Sequence, residues 1–582
     1  ATGIARAFVT NLGDTGHQGA STITQQYVRN SLAERGYLEG DADQVSAATE
    51  QTTERKLREV KYALALEKTL SKDEILTGYL NIASFGPITY GVEAASQRYF
   101  SKSASELDYL ESALLAGLVQ SPVQYDPLVH PNTAQNRRDT VLATMLKQGV
   151  ITQEEFDRGV ETTVEAMLNP TVSSEGCSGA ESSKAYFCDF VLAQFLDDPT
   201  FGATRIERER VLKTQGITIR TTMDSAKQAA AYTSLTNTIP VGDASGLNDA
   251  LISLDPRSGR VLSMAQNTTY GIESGETMSN YSADGNFQVG STFKVFTLLQ
   301  WFKEGHSAYE TVGSSNTYYP NGSFKCDGRA IVTEGYQVND LAGKTGTMNV
   351  VRATGQSVNQ AFVNMASRVD FCSIFDTAYE MGITEDGEVP SPFPANILGS
   401  VSASPMQMAS VFAAIANSGQ QCTPQSIESV TDRNENVLKE FSADCKQVVT
   451  AEVANKTAAL LTASAGQYYT STRLSEGRPF AAKSGTTDGH ANTWLTGFTP
   501  SVVTSAWVGH GANSSQEVSG VTINGTYYGD IYGETFVGQN IWAPYMSQIL
   551  AGTPVESVSN ANIGASSPKG ATPAPSPSPH AH

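Results

Sequence analysis

The sequence predicts a multidomain chain: a mainly α N-terminal third, a small α+β linker, and an α+β C-terminal domain around a central antiparallel sheet. Three observations predict it. The 582 residues exceed the usual size of a single domain. Residues 1–165 carry apolar positions at helical spacing, as in Thr52 to Leu70, where Leu57, Val60, Leu64 and Leu66 fall on or near one face. Farther on, Thr493–Phe498 and Val502–Gly509 are β-rich runs joined by Thr499-Pro500-Ser501, which reads as an antiparallel meander.

Taken in order, residues 1–165 form the helical domain and end in Ile151-Thr152-Gln153-Glu154-Glu155. Within it, Ser71-x-x-Glu74 is a capping box that starts a helix. The polar stretch Leu32 to Thr53 reads as an insertion, either a loop or a short extra helix. Residues 166–245 form the linker, with a small polar stretch from Asn169 to Ser183, a β-run Ile217–Thr222 and a helical pattern Asp224–Thr236. The C-terminal domain, 246–551, opens with strand, turn and strand over Ala250–Met264. Residues 552–582 lose patterning, and the Pro/Ser/Ala-rich end from Ser566 is expected to be disordered.

Composition narrows the function. A net charge of −20 argues against a nucleic-acid partner, because neutralising phosphates needs clustered Lys and Arg. Six cysteines allow fifteen pairings. Proximity in sequence suggests Cys177–Cys188 and Cys422–Cys445, which leaves Cys326–Cys372, and an oxidising, extracytoplasmic setting fits. No Cys-x-x-Cys or His-rich cluster supports a metal site. No apolar run reaches the roughly 20 residues of a membrane-spanning helix.

The chemistry is concentrated at Ser291-Thr292-Phe293-Lys294. A helix beginning at Ser291 places Lys294 one turn on, on the same face. A serine hydroxyl is a weak nucleophile until a base lies within hydrogen-bond reach, and a lysine can be that base. The alternative is a plain N-cap serine. Partners decide between them. Ser357-Val358-Asn359 opens the apolar Gln360–Ala366 segment, whereas Ser314-Ser315-Asn316 fits the same pattern in a polar loop and is set aside. Of two Lys-[Ser/Thr]-Gly triplets, Lys344-Thr345-Gly346 lies in a turn-like stretch before the Ser-x-Asn pair. Lys483-Ser484-Gly485-Thr486-Thr487 lies on the first strand of the meander and is preferred. Hydroxyls and a lysine on an edge strand can bind a carboxylate, while a backbone N–H completes an oxyanion hole.

In this order, Ser291–Lys294, Ser357–Asn359 and Lys483–Gly485 resemble the penicillin-binding and serine β-lactamase superfamily, and most of all its high-molecular-mass penicillin-binding proteins. Residues 17–125 carry a second match. His17-Gln18-Gly19-Ala20-Ser21-Thr22-Ile23-Thr24-Gln25-Gln26, Arg55-Lys56-Leu57-Arg58-Glu59, the Lys72–Ala95 stretch and Leu114–Pro127 resemble, in order, the motifs of the family 51 peptidoglycan glycosyltransferases.

Together the matches resemble a class A, bifunctional penicillin-binding protein. They imply a lysozyme-like glycosyltransferase domain, incomplete here, and a β-lactamase-like D,D-transpeptidase domain. The resemblance assigns catalysis to Ser291, Lys294, Ser357, Asn359 and Lys483, and donor binding to Ser484, Gly485, Thr486 and Thr487. On the glycosyltransferase side it implies Ser21, Thr22, Gln25, Gln26, Arg29, Arg55, Lys56 and Glu59, with cations holding a lipid-linked pyrophosphate and Glu59 near the sugar; read alone, Arg55 and Glu59 are a surface i,i+4 ion pair. The family's upstream catalytic glutamate is missing, Asp14 being the only acid before His17, and so is its N-terminal anchor. A fragment of a longer membrane-anchored, extracytoplasmic bacterial protein is therefore expected, its own glycan polymerisation lost. Implied partners are lipid II, glycan strands with D-Ala-D-Ala stem peptides, β-lactams, and cell-wall synthesis and division proteins. No cofactor is implied for transpeptidation, and a divalent cation for glycosyl transfer is left open. The rival readings are a D,D-carboxypeptidase, a serine β-lactamase, disfavoured by the absence of Glu-x-x-Leu-Asn, and a non-catalytic β-lactam sensor or scaffold.

Overall fold

A computed structural model describes residues 21–50, 52–87, 89–170, 176–332, 334–338 and 346–564. Asp14, the His17–Ala20 part of the first motif, Lys344, Thr345 and the tail beyond Gly564 lie outside them. The chain divides into two compact units, Ala1–Glu175 and Gly176–His582.

The first unit is mainly helical, as predicted. Its longer helices are Ile23–Glu39, Thr53–Thr69, Lys72–Ile82, Tyr109–Leu118 and Pro131–Lys147. Tyr79, Phe85, Ala95, Tyr99, Leu114 and Leu118 form its main core. The Ser71 capping box is present, with Ser71 N–H donating to Glu74 and Glu74 N–H to Ser71 Oγ. The stretch read as an insertion continues the first helix to Glu39 and adds a short helix, Ala42–Thr49. One sequence reading is inverted. The Thr53–Thr69 helix buries Arg55, Glu59 and Ala63, whereas Leu57 and Leu64 are 67% and 54% exposed. A buried ion pair takes the inner face that apolar periodicity assigned to leucines.

The second unit is built on one antiparallel sheet. Its strands are β1 (Asn248–Leu254), β2 (Val261–Gln266), β3 (Ala481–Thr486), β4 (Asn492–Thr499) and β5 (Val502–Gly509), in the order β3-β4-β5-β1-β2. The predicted meander and the strand–turn–strand are therefore halves of the same sheet. Every residue of β4 and β5 is buried. The reason is that alternate side chains enter different cores: Trp494, Phe498 and Trp507 on one face, Leu495, Ala506 and Val508 on the other. The Lys294–Lys303 helix is buried along nearly all its length and runs through the first core, burying Val295, Phe296, Leu298, Leu299, Trp301 and Phe302 beside the polar Lys294, Thr297 and Gln300.

The structure moves two boundaries. The 166–245 segment is not a separate module: from Gly176 it belongs to the second unit. Strand Thr218–Thr221 pairs with Ile427–Thr431, and helix Ser225–Thr238 buries Ala230, Ala231 and Leu235 in the sheet's second core. Nor does the packed domain end at residue 551. Pro554 O accepts from Arg478 Nη1 at 2.6 Å, Ile563 O accepts from Ala308 N–H at 2.9 Å, and the Ile563 side chain is buried. An isolated isoleucine in a polar stretch leaves no periodic pattern to read. The three disulfides are Cys177–Cys188, Cys326–Cys372 and Cys422–Cys445, the pairing that proximity suggested.

Candidate active site

Ser291 lies in a 3₁₀ turn, Gly290–Phe293, that leads into the Lys294–Lys303 helix. It is inside the turn and makes no side-chain cap, so the N-cap reading is not met. The turn is held from behind by Val289 N–H on Val401 O and Gly290 N–H on Gly399 O, both 3.0 Å. Gly399 has φ +100°, and a Cβ there would run into the Gly290 carbonyl.

Lys294 is fully buried. Its Nζ donates to Ser357 O at 2.7 Å and Asn359 Oδ1 at 2.7 Å, and lies 3.2 Å from Ser357 Oγ. Ser357 occupies a left-handed conformation, φ 53°, at the turn before the Asn359–Ala366 helix. Such a conformation is costly for a residue with a Cβ and marks a position held by its surroundings. Lys483, on β3, is also fully buried. Its Nζ is 2.8 Å from Ser357 Oγ and donates to Ser484 O at 2.8 Å. Burial without a carboxylate partner pushes the Lys483 amine down to about 7.

β3 lies directly against the Ser291 turn. A Cβ on Gly485 would come 2.6 Å from Val289 O, so only glycine lets the strand approach so closely. Thr486 Oγ1 donates to Gly485 O at 2.9 Å and accepts Gly533 N–H at 3.2 Å. Ser291, Ser357, Asn359, Ser484, Thr486 and Thr487 line one cleft of about 580 Å³, with Lys294 and Lys483 buried in contact with its Ser357 wall. Ser314 is buried and donates to the carbonyl of Gly346, and neither of these two residues lines the cleft.

Sequence reasoning missed Tyr336, Tyr468, Tyr469, Asp488, Tyr532 and Glu534, which also line the cleft. Tyr469 OH accepts the Ser484 N–H at 2.7 Å. Glu534 accepts from Ser471 N–H and Thr472 N–H at 2.8 and 2.9 Å. No motif marks them; the only local sign is two adjacent tyrosines just before the polar stretch that leads to β3.

The glycosyltransferase-like residues are described within the first unit alone. Thr22 caps the first helix in a reciprocal box with Gln25, so both side chains have a structural task. Gln26 accepts from Tyr79 OH at 3.3 Å. Arg55 and Glu59 form a buried ion pair, 8% and 3% exposed, and Arg55 also bonds to Glu50 O; the surface-pair reading is not met. Lys56 and Ser21 are exposed and Arg29 is half-buried.

A transglycosylase family model matches residues 1–146, and a penicillin-binding protein transpeptidase model matches residues 250–524. Penicillin-binding protein 2D of Bacillus subtilis is 31% identical over 553 residues, spanning 92% of this chain and 71% of the relative. The chain belongs to the class A, bifunctional penicillin-binding proteins. Penicillin-binding protein 1A of Mycolicibacterium smegmatis is 29% identical, over 96% of this chain and 67% of its own. Among solved structures, PonA1 of Mycobacterium tuberculosis in complex with penicillin V is 25% identical with a TM-score of 0.53, covering 68% of this chain and 100% of that one. Penicillin-binding protein 1A from Haemophilus influenzae shares the fold over 94% of this chain and 92% of its own, with a TM-score of 0.63 at 19% identity. This penicillin-binding protein is thus a peptidoglycan-synthesising enzyme with a serine-type transpeptidase domain. No described helix is long and apolar enough to cross a membrane.

Proposed function

We propose that this penicillin-binding protein cross-links stem peptides by D,D-transpeptidation through an acyl-enzyme on Ser291. Ser291 Oγ attacks the carbonyl between the two terminal D-alanines, and Lys294 takes its proton. The tetrahedral oxyanion is held by the N–H groups of Ser291 and Thr486. Collapse breaks the peptide bond, and the proton passes to the departing D-alanine amine through Lys294, Ser357 and Lys483. Asn359 holds the donor amide, Ser484 and Thr486 bind the terminal carboxylate, and Gly485 and Thr487 shape that strand. An amine of a neighbouring strand then attacks the ester and regenerates Ser291. A β-lactam mimics the donor and acylates the same oxygen.

The observation that supports this reading is the Ser357 hydroxyl, which lies within hydrogen-bond reach of both lysine amines. Lys294 also has two pure acceptors, Ser357 O and Asn359 Oδ1, for two of its N–H groups.

For the first unit, the proposed substrate is lipid II, its pyrophosphate met by Arg29 and Lys56, with Ser21, Thr22, Gln25 and Gln26 along the same path. Arg55 would act chiefly by fixing Glu59. The proposed setting is the extracytoplasmic face of a bacterial membrane, with cell-wall synthesis and division proteins as partners. The described residues do not gather a donor set for a divalent cation, since Glu59 is engaged by Arg55, and no step here runs through one.

The test is intact-mass spectrometry with benzylpenicillin on the wild type, Ser291→Ala, Lys344→Ala and Lys483→Ala. One added drug mass is expected on the wild type and Lys344→Ala, none on Ser291→Ala, and a strongly slowed adduct on Lys483→Ala. Labelling of Ser291→Ala would remove it as the nucleophile. Added D-amino acid or amine acceptor distinguishes transpeptidation from the carboxypeptidase alternative, in which water alone resolves the acyl-enzyme.

A further inference from the structure

β3 is the edge strand of the central sheet. In an antiparallel ladder, alternate residues of an edge strand turn both main-chain groups outward, where an extended peptide can pair with them. Ser484 is such a residue, and both of its groups are already taken: its N–H by Tyr469 OH at 2.7 Å, and its carbonyl by Lys483 Nζ at 2.8 Å. Thr486, two residues on and opposite Thr493 in the same ladder, is the next residue on that edge.

Tyr469 is buried and firmly placed. It directly follows the Ala451–Tyr468 helix, and its N–H bonds to Ala465 O. The residues after it are tied to the opposite wall by Ser471 N–H and Thr472 N–H on Glu534, and by Thr472 Oγ1 on Glu534 O at 2.7 Å. Burial pushes its phenol up to about 12, so it remains a neutral hydroxyl at neutral pH.

We propose that Tyr469 is a positioning residue that occupies the Ser484 N–H and so sets the register in which the acyl donor's backbone lies along β3. With Ser484 closed, the donor pairs at Thr486 and brings its scissile carbonyl to Ser291. A donor paired at Ser484 would be displaced by two residues, about 7 Å, well beyond the roughly 3–3.5 Å needed for attack. This inference rests on Ser291 being the nucleophile.

Tyr469→Phe keeps the ring and deletes the hydroxyl. It frees the Ser484 N–H, so that an extended peptide ending in D-Ala-D-Ala can pair there in a second, unproductive register by that one bond. Unproductive binding competes with productive binding, so kcat and KM for D-alanine release should fall together, by about fivefold if the slipped register holds four-fifths of the bound donor. Their ratio should stay within about twofold of the wild type, as should benzylpenicillin acylation, because the compact drug has no extended backbone to slip. A fall in kcat/KM with KM unchanged would mean a merely structural role and overturn the proposal, as would unchanged constants. Should the variant not fold, hydrogen exchange on the wild type decides: the Ser484 amide should be protected and the Thr486 amide should exchange freely until acylation slows it. Equal exchange of the two before acylation would overturn it. Mass spectrometry on Ser291→Ala separates the two readings, since unchanged constants in a Tyr469→Phe enzyme that still labels at Ser291 sink only the register.

Discussion

Lys294 and Lys483 come from different elements and converge on one hydroxyl, their Nζ atoms 3.2 and 2.8 Å from Ser357 Oγ. That oxygen carries one proton and can give it to only one amine while accepting from the other. Two ammonium groups sharing one buried hydroxyl repel each other. Ser357→Ala removes the shared atom and breaks the link between the amines. The expected result is an acylation rate by benzylpenicillin slowed by about 10²-fold or more, with Ser291 still the labelled residue. Stopped-flow acylation checks it, and a rate within threefold would show that the lysines act without the hydroxyl.

Lys483 also makes stability depend on pH. The native amine is depressed to about 7 by burial, while the unfolded chain keeps the ordinary lysine value of 10.5. Between these values the unfolded state binds more protons, so stability rises with pH. The cost of burying the charged amine is fully present below about pH 7 and is relieved above it. Urea denaturation at about pH 6.5 and 9 should show the wild type gaining about 2–3 kcal/mol relative to Lys483→Met. Parallel profiles for the two proteins would mean that Lys483 stays charged in the fold.

Gly399 belongs to no motif but supports the turn that carries Ser291. Its backbone is left-handed, and an added Cβ would strike the Gly290 carbonyl, immediately before Ser291. Gly399→Ala should therefore push the Ser291 turn off Thr486 and slow acylation at least tenfold, with a stability loss of about 1–3 kcal/mol. Acylation kinetics beside a urea midpoint would check both. A destabilised protein with normal acylation would mean that the turn is held by other contacts.

These two kinds of residue show what could be seen in the sequence. That Ser291, Lys294, Ser357, Asn359 and Lys483 come together at one cleft was legible because they lie in short motifs at fixed local spacings, and the segments after Lys483 read as β-rich runs joined by a turn. Lys483 was preferred to Lys344 because it lies on the first strand of a β-rich meander, whereas Lys344 lies in a turn-like stretch before the Ser-x-Asn pair. Tyr469, Gly399 and Glu534 were not legible. Their roles are contacts between segments far apart in the chain, and a tyrosine or glycine gives no local sign of what it will face. The Arg55–Glu59 pair was misread for a related reason: periodicity assumes that apolar residues go inside, and a polar pair that satisfies itself can take that place.

That pair provides a prediction specific to the first unit. Arg55 and Glu59 are both buried and bonded to each other. Replacing one partner leaves the other as an uncompensated buried charge, whose cost is about 3–5 kcal/mol. Arg55→Met should therefore lower the unfolding midpoint of the helical unit markedly. Arg55→Met with Glu59→Leu should recover much of the loss, because the surviving charge is then absent. The second unit has its own cores and sheet, so benzylpenicillin acylation at Ser291 should be unchanged in both variants. Differential scanning calorimetry beside the acylation assay measures the two effects separately. A first-unit transition that does not move in Arg55→Met would mean that the pair is solvated. The Glu59 carboxylate would then be free to meet substrate instead of holding the helix in place.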